Sequence, residues 1–337
     1  MFGIKELLTR PTRTSSSGLD GFFERASDDH GAPGYWVATV ARARRRGLRF
    51  EELQFHPNQR AYAQALRIEP ALGQADCYPH DRKTVGVRYS PLVVLDDVDR
   101  TNEANHEINA CIRSMFDEQA LQPFVHELVG VVGDMHDNVW SHGRATGLSM
   151  AQRWKKPHSD GQSNIEFALA DCGHGFLAEL QRAGIARHEA ISSHDDAIRW
   201  CIKQGNSTKS RPTDAWEQAL PWDAVGNPMG VVARAREKDN NHLGLGLHKL
   251  CLLVRNYGGH LWLASGDAML IIDPAGIESM VPLSCAWEGV VLACRFATDS
   301  VRGRADIVLT QAQAVRSKAE EAFDEAVSQL LGRSPPC

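Results

Sequence analysis

Apolar residues in the second half of the chain recur with the periods that helices and strands produce. Over residues 123–142 they return at alternating steps of three and four, which predicts an amphipathic helix that Gly143 ends. Residues 165–170 are a mostly apolar run that stops at Asp171, and this run predicts a buried strand. Residues 246–257 predict a second apolar helix, which a pair of glycines closes.

Shorter segments extend this pattern toward the end of the chain. A polar stretch at 205–243, rich in glycine, proline, asparagine and charge, predicts a long loop. Before and after it we predict helices near 176–183 and 195–204 and antiparallel strands at 261–264, 268–272 and 290–296. Small apolar residues from 308 to 330 predict a closing helix that packs on the core or forms a dimer contact.

Residues 1–118 predict a small α/β region whose sequence carries no recognisable chemistry. Its clearest segments are a helix near 59–66, a strand at 92–95 and a helix at 103–116. We therefore divide the chain into that N-terminal region, a central domain at 119–300, and a C-terminal helix and tail at 301–337.

Composition and charge narrow the class of protein without naming a function. The chain has 337 residues, of which 43% are hydrophobic and 23% charged, as in an ordinary globular protein. Its formal net charge of -5 gives no overall reason to expect nucleic-acid binding, and the basic run at 42–49 fits a solvated helix face. The eight cysteines lack paired spacing, and we find neither a signal segment nor an apolar run of membrane-spanning length. We expect a cytoplasmic protein with reduced thiols and no membrane partner.

Three groups of residues carry candidate chemistry, and the first lies on the predicted helix at 123–142. Asp134, Asn138 and His142 each fall one turn apart, away from the apolar stripe. A polar face of this kind is usually a solvated one. Because Asp and Asn are poor helix-interior residues, a site is the alternative. Asn138 would then give an amide oxygen to Mg²⁺, and Asp134 would orient or deprotonate water.

The second group, Asp171 to Gly175, follows the buried strand and precedes a helix. Gly173-His174-Gly175 fits a loose dinucleotide fingerprint, but no strand follows at the spacing which that motif needs. Another interpretation makes Asp171 a buried acceptor for the amino group of adenine, with Gly173 and Gly175 letting the backbone approach the base. A plain turn after a strand is the third interpretation.

The third group is the glycine turn that opens the helix at 246–257, and it reads Leu243-Gly244-Leu245-Gly246-Leu247. A helix N-terminus presents unpaired N–H groups and suits a phosphate chain, which a glycine backbone can wrap closely. The chain contains no GxxxxGK[ST] string, so this is not a Walker A loop. Glycines that only start a tightly packed helix are the alternative.

The order and spacing of the three groups resemble the GHKL (Bergerat) ATP-binding family over about residues 122–296. Residues 134–143 resemble the family's N box, in the form that ends N-x-x-x-H-G, while 171–175 and 244–247 resemble its first and second glycine boxes. The resemblance implies an α+β fold, a Bergerat-type α/β sandwich whose mixed, mostly antiparallel sheet is covered on one face by helices. Here that sandwich would carry an N-terminal α/β extension and a C-terminal helix.

The resemblance also implies a role for individual residues in binding ATP and Mg²⁺. Asn138 would hold Mg²⁺, Asp171 would hydrogen-bond adenine, and Lys209, in an ATP lid at 205–243, would sense the γ-phosphate. The full set of implied nucleotide contacts is Asn138, His142, Asp171, Gly173, Gly175, Lys209, Leu243, Gly244, Leu245, Gly246 and Leu247. Of these, His142 would face the phosphates and the second glycine box would cradle them.

Two departures from the family pattern bear on activity. The family commonly has Glu four residues before the Asn, where this chain has the shorter Asp134, and His242 replaces the first glycine of GxGLGL. A displacement of about 1 Å can lower a rate roughly 10²-fold. We therefore expect Mg-ATP binding with slow hydrolysis, used as a switch on a partner protein or within a homodimer.

Other functions stay open or fit poorly. A serine/threonine kinase of anti-sigma-factor type and a nucleotide-gated binding module without turnover are the open alternatives. A histidine autokinase is disfavoured, because the candidate phosphoacceptor His126 lies on the same predicted helix as Asn138. Metal hydrolysis is also disfavoured, since residues 188–194 do not form HExxH and no CxxC pair occurs.

Overall fold

The computed structural model of the chain has an α+β fold, in which one open antiparallel sheet lies between two helical layers. The residues that it describes are 3–9, 31–53, 55, 57–116, 118–139, 146–155, 162–206, 246–305 and 307. The α+β class predicted from the sequence is confirmed. Within these residues, no helix is both long and apolar enough to cross a membrane.

Five antiparallel strands form the sheet, in the spatial order β1-β2-β3-β5-β4. Their bounds are Val93–Leu95 for β1, Gly147–Lys155 for β2, Ser163–Asp171 for β3, His260–Ile272 for β4 and Glu278–Ala297 for β5. The register sets Gly147 opposite Asp171 and Ala170 opposite Val291. The end of β3 therefore lies between the start of β2 and the middle of β5.

Helices account for most of the remaining described residues. Their bounds are Ile4–Thr9 (α1), Pro33–Arg45 (α2), Pro57–Ala65 (α3), Ile68–Ala71 (α4), Val98–Met115 (α5), Gln122–Asn138 (α6), Gly175–Arg182 (α7), Ile185–His188 (α8), His194–Cys201 (α9) and Gly246–Asn256 (α10). Residues 298–305 are also helical. α2 starts with a proline at a first-turn position, where a missing N–H breaks no helical hydrogen bond.

The two faces of the sheet bury separate hydrophobic cores. Along β3, Ile165, Phe167 and Leu169 point into a core shared with α5, α6 and α10. The alternate residues Ala168 and Ala170 point into a second core, which is filled by α1 to α4. The sequence-based expectation of helices on one face is corrected here, because the N-terminal helices cover the other face.

Helix α2 is fixed to the second face by a buried carboxylate. Glu166 Oε1 accepts a hydrogen bond from Gly34 N in the first turn of α2 at 2.8 Å, and Oε2 accepts one from Arg295 Nε at 2.7 Å. A Cβ atom on Gly34 would lie 2.9 Å from the Cβ of Ala293, so only glycine permits this approach. A carboxylate at a helix N-terminus also interacts favourably with the helix dipole.

Most predicted elements of the second half are confirmed, with shifted ends. The helices predicted at 123–142 and 246–257 are α6 and α10, and the strand at 165–170 is β3. The three late strands predicted at 261–296 are two long ones, because β4 runs through Gly266 as a bulge instead of stopping there. Helix α2 and strand β2 were not predicted. The proposed division at residue 118 stays a prediction, although β1 and α5 join the sheet and core of the central region.

Two predictions fall on residues outside the described ones. These are the closing helix from 308 onward and the loop at 205–243, apart from residues 205 and 206. All seven cysteines that fall within the described part of the chain are free thiols.

Candidate functional site

A buried carboxylate marks the end of β3. Asp171 is only 5% exposed, and its Oδ1 accepts a hydrogen bond from Gly173 N at 2.8 Å. The backbone N–H of Val290 on β5 donates to the same carboxylate. Burial raises the pKa of Asp171 to about 6, and the two backbone hydrogen bonds offset only part of this rise. A carboxyl group held in this way can discriminate between ligands that donate and ligands that accept a hydrogen bond.

Two glycines with left-handed backbones lie near Asp171, one against its carboxylate and one against the neighbouring Ser265. A Cβ atom on Gly289, at φ +101°, would lie 2.6 Å from Asp171 Oδ1, and one on Gly175, at φ +74°, would lie 2.8 Å from Ser265 Oγ. The Ser265 hydroxyl donates to Gly289 O at 2.9 Å and accepts from Phe176 N at 3.1 Å. These contacts place the backbone of Gly289 against Asp171, and the Ser265 hydroxyl joins Gly289 to the start of α7.

The polar ladder on α6 contains an ion pair between a buried carboxylate and a half-exposed lysine. Asp134 is 6% exposed, and its Oδ2 lies 3.0 Å from the Nζ of Lys249 on α10. Asn138, one turn later, is half-buried at the C-terminal end of α6. The ladder is therefore not the solvated face that such a pattern usually indicates.

The first residue of α10 packs directly on this ladder. A Cβ atom on Gly246 would lie 3.0 Å from the Cβ of Asp134, 2.8 Å from Met135 Cε and 3.6 Å from Asn138 Nδ2. The lack of a side chain at Gly246 thus lets the N-terminal end of α10 lie beside the amide of Asn138. The N–H groups of the first turn of a helix have no partner within the helix, so this end suits an anion.

A third glycine connects the ladder to Asp171. A Cβ atom on Gly147 would lie 2.7 Å from Val139 Cγ1, which follows directly on α6. Gly147 in turn pairs with Asp171 across the sheet. The C-terminal end of α6, the N-terminal end of α10 and the carboxyl end of β3 therefore meet at one end of the sheet.

His136, on the same helix, is a buried histidine that joins neighbouring elements. Its Nδ1 lies 2.7 Å from Asn105 Oδ1 and its Nε2 lies 2.8 Å from Ser149 Oγ, so it bridges α5 and β2. Burial lowers the pKa of His136 to about 3, which keeps the ring neutral. This bridge fixes the rotation of α6 and so the direction in which Asp134 and Asn138 point.

The described part of the chain brings together six of the residues predicted for the site. Asp134, Asn138 and Gly246 form one cluster, and Asp171, Gly173 and Gly175 form the second. Leu247 is partly buried and packs against the first core. His142, Lys209, Leu243, Gly244 and Leu245 lie outside the described residues, so their predicted roles stay predictions.

Four further residues of the site had no role in the sequence-based prediction. Lys249 is the ion-pair partner of Asp134, and Gly147 is the residue opposite Asp171 on β2. Gly289 contacts Asp171, and Ser265 is hydrogen-bonded to Gly289. The position of Lys249, three residues after the last glycine of the turn, was the only signal for it. The others could not be found from spacing, because their roles depend on which strands are neighbours.

The donor groups present fit a magnesium nucleotide. Mg²⁺ is commonly held by one or two protein oxygens together with substrate phosphates, and Asn138, whose amide lies beside the helix end, carries an oxygen of the kind that such a site uses. Among the described residues, no group of three or more His, Cys, Asp or Glu side chains could hold a metal ion by itself. A carboxylate accepts about four hydrogen bonds, so the two backbone donors at Asp171 leave capacity for an exocyclic amine.

Comparisons of the chain with protein-family models, curated proteins and solved structures find no match. The choice of ligand therefore depends on the geometry of the site.

Proposed function

We propose that this chain binds Mg-ATP in a Bergerat-type pocket of the GHKL kind and acts as a slow ATPase that switches a partner protein. The observation that carries the proposal is the meeting of three elements at one end of the sheet. These are the buried Asp171 with its glycines, the Asp134–Asn138 ladder, and the helix that Gly246 opens. Each supports one part of the nucleotide: base, metal and phosphates.

Asp171 supplies recognition of the base. Its carboxylate accepts a hydrogen bond from the exocyclic amine of adenine, while Gly175 and Gly289 keep the surrounding backbone free of side chains. Guanine carries a carbonyl oxygen at the equivalent position, and two acceptors facing each other in a buried site repel. The pocket should therefore prefer ATP to GTP.

The helix ends supply recognition of the phosphates. The unpaired N–H groups at the start of α10 face the phosphate chain, and Asn138 gives its oxygen to Mg²⁺. Magnesium, when bound, neutralises phosphate charge and favours departure of the γ-phosphoryl group. Ordering of the loop at 205–243 around the nucleotide would then change the surface that a partner or a second copy of the chain reads.

Calorimetric titration with ATP and Mg²⁺ tests this proposal. The Asp171→Asn variant should bind about 10- to 100-fold more weakly, since losing a hydrogen bond to a charged group has about that effect. Asparagine cannot replace the carboxylate, because one end of its amide is an NH₂ donor. In one orientation this NH₂ group faces the adenine amine, and in the other it faces the backbone N–H groups, so two donors always meet. Asn138→Ala should lose only the part of the affinity that depends on magnesium.

Asp99→Asn, which changes an exposed carboxylate on α5, serves as the matched control and should bind like the wild type. If Asp171→Asn binds ATP as tightly as the wild type does, or if GTP binds equally well, the adenine pocket is wrongly assigned. If the wild type binds neither nucleotide, the proposed function fails.

A further inference from the structure

Lys249 is paired with the Asp134 carboxylate, the group that would accept a proton from water during hydrolysis. In the proposed reaction, the oxygen of a water molecule bonds to the γ-phosphorus, and the bond from that phosphorus to the β–γ bridging oxygen breaks. The electron pair of the broken bond leaves on ADP, and the proton of the water passes to the carboxylate of Asp134. The Oδ2 atom of that carboxylate already lies 3.0 Å from the Lys249 ammonium.

The surroundings of the pair keep this arrangement in place. Asp134 is buried, so water has little access to its carboxylate and does not readily replace the Lys249 ammonium there. Lys249 sits one turn into α10, and Gly246 holds the start of that helix against Asp134 and Met135. The lysine side chain is half-exposed and reaches inward from the helix surface to the buried carboxylate.

We infer that Lys249 is a positioning residue that restrains ATP hydrolysis by holding the Asp134 carboxylate away from water. This inference rests on the proposed Mg-ATP site. Its consequence is a chain that retains ATP intact and turns it over slowly, as a switch with a long-lived nucleotide state requires. Because the Lys249 ammonium pairs with Asp134, we expect it to affect turnover and not affinity.

Phosphate release and calorimetry on the full-length chain test the inference. Lys249→Met should raise kcat for ATP hydrolysis at least tenfold, and at most by the 10²- to 10⁴-fold that a positioned general base supplies. Its dissociation constant and KM for ATP should stay within about twofold of the wild-type values. Lys249→Arg, which restores a cation at the same turn, should return kcat to the slow wild-type rate.

Two further variants separate this effect from a general change in the fold. Lys249→Gln removes the charge but keeps a hydrogen-bond donor, and it should also raise kcat. This variant replaces Lys249→Met in the test if the methionine variant does not fold. Adding Asp134→Asn to either variant should abolish the gain. Lys83→Met, at an exposed lysine of the N-terminal region, should leave kcat unchanged.

The outcomes distinguish failure of the inference from failure of the proposed function. If the variants bind ATP but hydrolyse it no faster than the wild type, the restraint is refuted while the nucleotide site stands. If Lys249→Met weakens ATP binding and slows turnover together, Lys249 is a phosphate contact and the inference is also refuted. If neither the wild type nor the variants bind ATP, both proposals fall.

Discussion

Replacing Asp171 with asparagine removes a carboxyl group whose protonation differs between the folded and unfolded chain. Burial raises its pKa from an ordinary 3.8 to about 6. Between these values the folded state binds more protons than the unfolded state, so stability falls as the pH rises through this window. One pKa unit corresponds to about 1.4 kcal/mol, and at pH 4 the unfolded carboxyl is already partly ionised. The Asp171 carboxylate therefore lowers the free energy of unfolding by about 2 kcal/mol at pH 7 relative to pH 4.

His136 contributes the opposite dependence in the same window. Burial lowers its pKa from 6.5 to about 3, so the folded state binds fewer protons and stability falls as the pH falls below about 6.5. Each group contributes a slope of up to about 1.4 kcal/mol per pH unit. In the wild type the two slopes nearly cancel between about pH 4 and 6, whereas Asp171→Asn leaves the His136 slope uncompensated.

Urea unfolding at half-unit steps from pH 4 to 7, followed by tryptophan fluorescence, measures this effect. The free energy of unfolding of Asp171→Asn minus that of the wild type should rise by about 2 kcal/mol across the range. The control Asp99→Asn should show no such rise. A constant difference between Asp171→Asn and the wild type at every pH would refute the reasoning, because Asp171 would then not change its protonation on folding in this window.

Two further predictions concern close backbone contacts and buried charge. Gly289→Ala should lower the free energy of unfolding by about 3 kcal/mol and abolish ATP binding, because its Cβ would meet Asp171. Gly276→Ala, which has the same left-handed backbone but no atom nearer than 3.9 Å, should cost only about 1 kcal/mol. Equal losses in thermal or urea unfolding would show that backbone conformation alone matters. Glu166→Gln should cost about 3 kcal/mol in urea unfolding, because it leaves the Arg295 charge without its buried partner. Glu278→Gln, in the half-exposed pair with Arg255, should cost less than about 1 kcal/mol; similar losses for both would contradict the assigned role of burial.

The sequence predicts the elements that carry a clear apolar pattern with marked ends and misses those that lack one. Helix α6 and strand β3 have clear apolar patterns bounded by proline, glycine or aspartate, and both were found. Helix α2 is buried around nearly its whole circumference, so it lacks the polar stripe that defines an amphipathic helix. Strand β2 is buried for most of its length and carries small and polar residues that blur a period of two.

The candidate site divides in a similar way. Asp134, Asn138, Asp171 and Gly246 were predicted because local spacing and residue type carry a signal, and the fold brings them to one end of the sheet. The ion pair of Asp134 with Lys249 joins residues 115 positions apart. The contact of Gly289 with Asp171 likewise depends on β5 lying beside β3. No local pattern encodes such contacts, because they follow from the packing of the whole sheet.

The N-terminal helices on the second face of the sheet also protect the chain from association. A chain shortened to begin after residue 118 would lose β1, and β2 would become an edge strand with unpaired backbone groups. Leu148, Met150 and the alternate alanines of β3 would then face water beside that open edge. An exposed apolar edge strand is a template for pairing with other chains. The first 118 residues therefore cover an edge and a face of the sheet that would otherwise promote aggregation.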